Sequence, residues 1–249
     1  AVAYKTVCLM DKLEKKLKVL RAYEVHSGDF DSAWAKIVKI FDEAKTLREL
    51  KKANQCSNEI LESVEIKRVP EEKRIRVGIV GEIYVILESS VNMEIEKRLN
   101  ALGVEVTNVQ CISEWVGHNI LPEKINPGKS WKVYEKGKAY KAYACGGHDM
   151  ENTGWIKEFA EEGYDGIVHL MPFGCLPELV TRSIIPKMSE ELDMPILSVS
   201  LDEQMGEANL QTRIEAFIDL CRSKKRAACV QKSGDRAESE KTTKSAVKV

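Results

Sequence analysis

Residues 166–178 read Gly-Ile-Val-His-Leu-Met-Pro-Phe-Gly-Cys-Leu-Pro-Glu. The first five residues form an apolar run that predicts a buried strand, and Pro-Phe-Gly-Cys predicts a turn. A helix is predicted to follow over residues 177–192. Because open α/β sheets bind their ligands at the carboxyl ends of the strands, Cys175 is expected at a ligand-binding edge.

The alternation of strand and helix extends on both sides of this stretch. Strands are predicted at 74–80, 104–109, 166–170 and 196–200, and helices at 91–102, 152–162, 177–192 and 207–221. Residues 111–145 are punctuated by Trp, Pro and Gly, which favours an inserted segment or lid. The order predicts an α/β domain over residues 71–222, a flavodoxin-like parallel sheet with helices on both faces.

Two further segments flank this domain. Residues 1–70 are predicted to be helical, with a first helix over 6–21. A second helical stretch over 31–66 is either one helix or two joined near 54–57. Because no N-cap precedes the first helix, we expect this segment to be the end of a longer N-terminal domain. Residues 223–249 are polar and lysine-rich, which predicts a disordered tail.

Composition narrows the classes of protein to consider. The chain has 249 residues and a net charge of −1, which gives no general attraction to nucleic acid or to an anionic membrane. No apolar run reaches the roughly 20 residues that span a bilayer, and no signal peptide opens the sequence. Seven widely spaced cysteines, an odd number, favour reduced thiols and a cytoplasmic location.

Polar or glycine-rich turns are predicted to meet at one edge of the sheet. Neither the dinucleotide fingerprint nor the ATP-binding glycine loop occurs in them. The helix dipole alone also explains the acidic residues before the last helix. An ordinary turn also explains Gly146 and Gly147. The candidate ligand-contacting residues are Glu82, Gly146, Gly147, His148, Phe173, Gly174, Cys175 and Glu203.

Three roles are open for the Cys175 thiol. It is a small buried side chain, a nucleophile with His148 as its base, or a ligand of a metal or cluster. An iron–sulfur cluster needs several thiolates, and within the chain Cys145 and Cys8 are the further candidates. His169, inside an apolar strand, is predicted to be a hydrogen-bonded core residue rather than a catalyst.

Four ordered motifs carry a family resemblance, namely residues 77–84 (Val-Gly-Ile-Val-Gly-Glu-Ile-Tyr), 146–148 (Gly-Gly-His), 169–178 and 201–208 (Leu-Asp-Glu-Gln-Met-Gly-Glu-Ala). Over about residues 1–222 the chain resembles the 2-hydroxyacyl-CoA dehydratase D-component-like family. That family includes CoA-substrate-specific enzyme activase-associated proteins and double-cubane cluster proteins. The cysteine after the third strand matches a family cluster ligand.

The resemblance implies two flavodoxin-like domains per subunit with an iron–sulfur cluster, of the 4Fe-4S type, between them. Cys175 is then an iron ligand, Phe173 and Gly174 shape its turn, Phe173 and the neighbouring prolines keep water away, and Cys145 is a weaker ligand candidate. The implied partners are an ATP-dependent activator that is itself an iron–sulfur protein, a second subunit in a homo- or heterodimer, and an acyl-CoA substrate. Nucleic acid and membranes are not implied.

The sequence therefore favours the C-terminal portion of an iron–sulfur electron-transfer component, similar to 2-hydroxyacyl-CoA dehydratases or low-potential reductases. The first alternative is a structural or interaction subunit that binds no cluster. The second is a hydrolase or transferase that depends on Cys175 and His148. No acid–base catalyst is assigned from the sequence.

Overall fold

The structure, a computed structural model, describes the backbone of residues 2–120 and 129–246 and the side chains of residues 2–117 and 131–230. The strands are β1 Ile75–Gly81, β2 Val104–Asn108, β3 Gly166–Pro172 and β4 Ile196–Leu201. The helices are α1 Val2–Leu20, α2 Asp29–Glu43, α3 Leu47–Ser63, α4 Ile83–Leu87, α5 Ile95–Ala101, α6 Ile112–Ile120, α7 Lys129–Gly137, α8 Asp149–Glu161, α9 Leu176–Glu191 and α10 Glu207–Ala246. In the part of the chain described, no helix is long and apolar enough to cross a membrane.

The four strands form one parallel sheet in the order β2-β1-β3-β4. Val77 in the centre pairs with Val106 of β2 on one side and with Gly166 of β3 on the other. The central strands β1 and β3 are buried almost throughout, because helices cover both faces of the parallel sheet, whereas the edge strand β4 is half-buried. This confirms the predicted α/β fold with its helical N-terminal segment.

Two apolar cores lie on the two faces of the sheet. On one face, strand residues such as Val77 and Val168 pack against Ile95 and Leu99 of α5 and against Ile214 of α10. On the other, Val80 and Ile167 pack against Phe159 of α8 and Met188 of α9. The result is a three-layer molecule in which α8 and α9 lie side by side on one face.

The strand order creates a crevice between β1 and β3. The chain leaves β1 toward β2 on one side and leaves β3 toward β4 on the other, so the two departing segments diverge. Such a switch in direction is where open α/β sheets bind ligands. The Cys175 turn follows β3 directly, so the thiol lies beside this crevice.

Helices α1–α3 have an apolar core of their own, formed around Leu17, Phe30 and Leu50. They contact the edge of the α/β domain at β2 and α5. The Tyr23 hydroxyl donates to Glu105 Oε1 at 2.6 Å, and hydrophobic burial together with this bond raises the pKa of Tyr23.

The predicted join in the second helical stretch near 54–57 is wrong. The break lies between α2 and α3 at residues 44–46, and α3 runs unbroken through 54–57. A capping box starts α3 and so sets the break between the two helices. Thr46 Oγ1 accepts from the Glu49 amide, and the Glu49 carboxylate accepts from the Thr46 amide.

The predicted insert contains two helices that pack onto the domain. Ser113 at the start of α6 donates its amide to Asp11 Oδ2 of α1 at 2.8 Å. Gly154 of α8 lies so close to Val133 of α7 that a β-carbon there would overlap the Val133 carbonyl. These helices are therefore packed elements rather than a lid; residues 121–128 of the predicted insert lie outside the described residues.

The last two differences concern helix ends. A short helix, α4, precedes the predicted helix at 91–102, which begins only at Ile95 and ends before Gly103, whose φ is +74°. The closing helix, predicted to end at residue 221, continues to Ala246, so the backbone from 223 to 246 is helical. Good helix formers such as Lys, Arg, Ala and Glu fill that stretch, and they favour a helix even without an apolar stripe.

Candidate functional site

Hydrogen bonds to two strands hold the Cys175 turn. The Phe173 amide donates to the Leu201 carbonyl of β4 at 2.9 Å, and the Cys175 amide donates to the Pro172 carbonyl at 3.3 Å. Gly174 has a φ of +76°, a left-handed conformation that favours glycine. Cys175 then occupies the N-cap position of α9 without a capping hydrogen bond from its side chain, and the residue is half-buried. The sequence therefore folds into a tight turn that presents one thiol at the start of a helix.

The Phe173 side chain does not lie where the sequence led us to expect it. The ring was expected to keep water from Cys175, yet it is 77% exposed in this chain. Leu176, one residue beyond the thiol, is also largely exposed. The turn therefore has an apolar rim at the surface.

The glycine loop before α8 lies against the Cys175 turn. A β-carbon on Gly147 would lie 3.3 Å from Pro177 Cγ, and Gly146 and Gly147 have φ values of +111° and +58°. His148 follows as the residue before α8, half-buried and without a hydrogen bond from its ring in the described structure. The structure thus places the Gly146–Gly147–His148 loop beside the turn that carries Cys175, through the contact of Gly147 with Pro177.

The two predicted carboxylates differ in their surroundings. Glu82 is fastened to the neighbouring strand, since its amide donates to the Leu170 carbonyl at 3.0 Å. Its Oε2 accepts from the Val85 amide and so caps α4. Glu203 is exposed in the turn after β4. Glu82 is therefore a structural cap at the crevice, whereas Glu203 is a surface residue.

A buried polar network lies beneath the crevice, and sequence reasoning missed most of it. Asn152 bonds both the amide and the carbonyl of Gly81 at 3.1 Å and donates to Glu178 at 2.9 Å. His169 Nε2 donates to Glu178 Oε2 at 2.7 Å, and its Nδ1 bonds the Ser198 hydroxyl at 2.9 Å. His169 is thus the hydrogen-bonded core residue that the sequence predicted.

A buried ion pair supports the loop that carries Cys145. The Lys141 ammonium pairs with Asp149 Oδ2, and the Cys145 amide donates to the same oxygen at 2.7 Å. Burial lowers the pKa of Lys141, and the neighbouring Cys145 and Glu178 oppose that shift. Cys145 itself is exposed. The pair holds the loop in place and leaves the Cys145 thiol accessible.

A cleft of about 300 Å³ opens beside His148, on the β2 side of the edge. Its walls include Gln110 and Cys111 after β2, and Trp155 of α8. Gln110 donates to the Gly81 carbonyl at 2.7 Å, which connects the cleft to the buried network. Burial raises the pKa of the Cys111 thiol, and Glu114 adds to the effect.

The described residues contain no group of three or more His, Cys, Asp or Glu side chains that could hold a metal ion. Cys8 lies on α1, where its hydrogen bond raises the pKa of Tyr4, and Cys111 is close enough to add to that shift. Cys56 is exposed on α3. In this part of the chain Cys175 therefore stands without a complete set of cluster ligands around it.

A profile of the family described as 2-hydroxyglutaryl-CoA dehydratase, D-component, matches residues 6–220. The chain belongs to this D-component family. No curated protein matches the sequence. The match confirms the resemblance carried by the four motifs, and it runs from within α1 through α2, α3 and the whole sheet.

Membership places the Cys175 turn and the Gly146–Gly147 loop inside a dehydratase component. The D-component chain is therefore a 2-hydroxyacyl-CoA dehydratase-like subunit with an α/β fold. A family name alone does not assign residues, because function depends on the site that a fold carries.

Proposed function

We propose that this D-component chain is an iron–sulfur electron-transfer component of a 2-hydroxyacyl-CoA dehydratase-type system, and that Cys175 is one iron ligand. The observation that carries the proposal is the position of the thiol. It is half-buried at the carboxyl end of β3, beside the switch in strand direction, and Pro177, two residues further on, packs against Gly147 of the neighbouring loop. Thiolate sulfur is the side-chain ligand that iron–sulfur clusters use.

The donor set of the described residues fits only part of a cluster. Cys175 supplies one thiolate, and Cys145 on the neighbouring loop is the second candidate. The remaining ligands come from outside the described residues or from a partner subunit. A bound cluster of the 4Fe-4S type supplies one-electron chemistry at low potential. This chain's own contribution is to orient the Cys175 thiol and to position the polar groups around it.

The residues around the thiol have separate roles in this proposal. Phe173 and Gly174 shape the turn, Gly146 and Gly147 allow close approach of a ligand to the backbone, and His148 lies at the mouth of the 300 Å³ cleft. Glu82 and Glu203 form the polar rim. We assign none of them a proton-transfer step.

The proposed partners follow from the D-component relationship. They are an ATP-dependent activator, itself an iron–sulfur protein, that delivers electrons, a second subunit, and an acyl-CoA substrate in the cytoplasm. The exposed apolar rim at Phe173 and Leu176 is consistent with a covering subunit, since a cluster ligand at this edge needs shielding from water.

A second candidate function is a structural or interaction subunit that binds no cluster. The absence of a complete ligand group among the described residues favours it. A hydrolase or transferase based on Cys175 and His148 receives less support, because no hydrogen bond joins the two side chains in the described structure, and a nucleophile needs its base within reach.

Iron analysis of two serine variants tests the proposal. The protein and its associated partners are purified without oxygen as wild type, Cys175→Ser and Cys56→Ser, and iron and acid-labile sulfide are measured per chain. We expect the wild type and the exposed-site control Cys56→Ser to hold iron, and Cys175→Ser to lose it. Equal iron in all three would contradict the ligand assignment, and no iron in any of them would favour the cluster-free subunit.

A further inference from the structure

The geometry points to a positioning role for the buried chain of side chains Ser198, His169, Glu178 and Asn152: it fixes the Cys175 turn against the rest of the crevice. This inference rests on the proposed function in one respect, namely that the thiol needs a fixed position because it binds iron. The hydrogen bonds themselves do not depend on that function.

Glu178 is the residue through which the network acts on the turn. It lies in the first turn of α9, three residues after Cys175, and the Leu179 amide closes that turn on the Cys175 carbonyl at 2.9 Å. The Glu178 side chain is 1% exposed and points into the protein, where both of its oxygens accept hydrogen bonds. The start of α9 therefore cannot slide or rotate without breaking those bonds.

The other members join Glu178 to β3, β4, α8 and the end of β1. His169 comes from the middle of β3, Ser198 from β4 and Asn152 from α8. Asn152 also bonds both backbone groups of Gly81, the last residue of β1. One connected network thus sets the relative positions of β1, β3, β4 and the starts of α8 and α9.

Bulk stability does not explain such a network. A buried carboxylate next to a buried imidazole costs desolvation energy, and apolar side chains of similar volume often stabilise a core equally well. Directional hydrogen bonds differ from apolar packing because they specify one register and one angle. A thiol that binds a metal together with other ligands needs such a fixed position and orientation.

The test uses mass spectrometry to measure how fast each thiol of this chain reacts with iodoacetamide after a chelator has removed iron. The test variant is Glu178→Gln, and the matched control is Glu190→Gln, an exposed glutamate on the same helix. Two thiols serve as internal references. Cys56 is exposed on α3, and Cys221 is buried in the sheet core, where burial raises its pKa to about 12.

We expect Glu178→Gln to raise the alkylation rate of Cys175 at least about threefold, because losing charge-assisted hydrogen bonds lets the turn open more often. The rates at Cys56 and Cys221 should stay unchanged, and Glu190→Gln should match the wild type. An increase at Cys221 as large as that at Cys175 would indicate general loosening and overturn the inference. An unchanged Cys175 rate in the folded variant would overturn it as well.

If Glu178→Gln does not fold, Ser198→Ala is the replacement test variant, because it removes a single hydroxyl at the far end of the network. We then expect a rise at Cys175 of about twofold, again without a change at Cys221. An unchanged Cys175 rate would overturn the inference. Because the assay needs no iron, it separates the two proposals. If the Glu178 variant raises Cys175 alkylation but the chain never binds iron, the proposed function is refuted and the positioning role stands. Iron bound through Cys175 with no network effect would refute the positioning role alone.

Discussion

Gly81 has the most restricted backbone position at the crevice. Its φ is +142°, and a β-carbon there would overlap the carbonyl oxygen of Leu170 on β3. Its amide and carbonyl are both held by Asn152. A side chain at this position would therefore separate β1 from β3 and break the polar network together.

We predict that Gly81→Ala lowers the free energy of unfolding by about 3 kcal/mol or more, because a left-handed backbone and a clash with the main chain act together. Gly28→Ala is the matched control. Its φ is +94°, but nothing lies within 4 Å of the added carbon, so the expected loss is about 1 kcal/mol. Urea denaturation measures both. Equal losses would show that the close approach of β1 and β3 does not matter.

Among individual residues, the sequence predicted the surface turn at Cys175 better than the buried polar network. The Cys175 turn was predictable because Pro-Phe-Gly-Cys directly follows an apolar run. His169 was also predictable as a core residue. The roles of Asn152 and Glu178 were not, because a polar residue in a helix is normally solvated. Only the packing of α8 and α9 on the sheet buries them.

The helices and strands were predictable from hydrophobic periodicity, whereas the ends of the helices depend on capping residues. The four strands lie within two residues of their predicted ends. The boundary between α2 and α3 was placed wrongly because residues 31–66 lack Gly and Pro. The signal was present in another form, since Thr46 and Glu49 have the spacing of a capping box.

We predict that Thr46→Ala lowers the free energy of unfolding of the helical segment by about 1 kcal/mol, because the Glu49 amide loses its acceptor. Ser63→Ala, at the other end of α3, is the control. Ser63 is exposed and, among the described residues, its hydroxyl bonds to the Ile60 carbonyl alone, so the loss in Ser63→Ala should stay within about 0.5 kcal/mol. Urea titrations followed by far-UV circular dichroism compare the two. A Thr46→Ala variant as stable as Ser63→Ala would contradict the capping role.

The segment between β2 and α8 shows where periodicity gives too little information. Its Trp, Pro and Gly residues suggested an inserted segment or lid, yet α6 and α7 pack on α1 and α8. Gly154 allows α7 to approach α8 closely, and a lone glycine inside a helix does not reveal its neighbour in advance. Long-range packing of this kind is outside what a local pattern can predict.

At the scale of the whole molecule, three chain segments meet at the carboxyl edge of the sheet. The end of β1, the start of α8 and the turn after β3 are far apart in sequence and are joined by the Asn152–Glu178 network. The parallel topology was predictable from the alternation of elements, and so was the meeting of these segments. The groups that would complete the proposed ligand set around Cys175 were not, because the described residues contain no group of three or more candidate metal ligands.

Thiol alkylation before and after iron removal tests whether Cys175 binds iron. The protein with its partners is isolated without oxygen, and alkylation of each thiol is measured before and after a chelator removes iron. We predict that bound iron slows alkylation of Cys175 at least about tenfold, since a metal-bound thiolate is a poor nucleophile, while Cys56 reacts equally fast in both states. Alkylation of Cys175 at the same rate before and after iron removal would show that Cys175 is not an iron ligand.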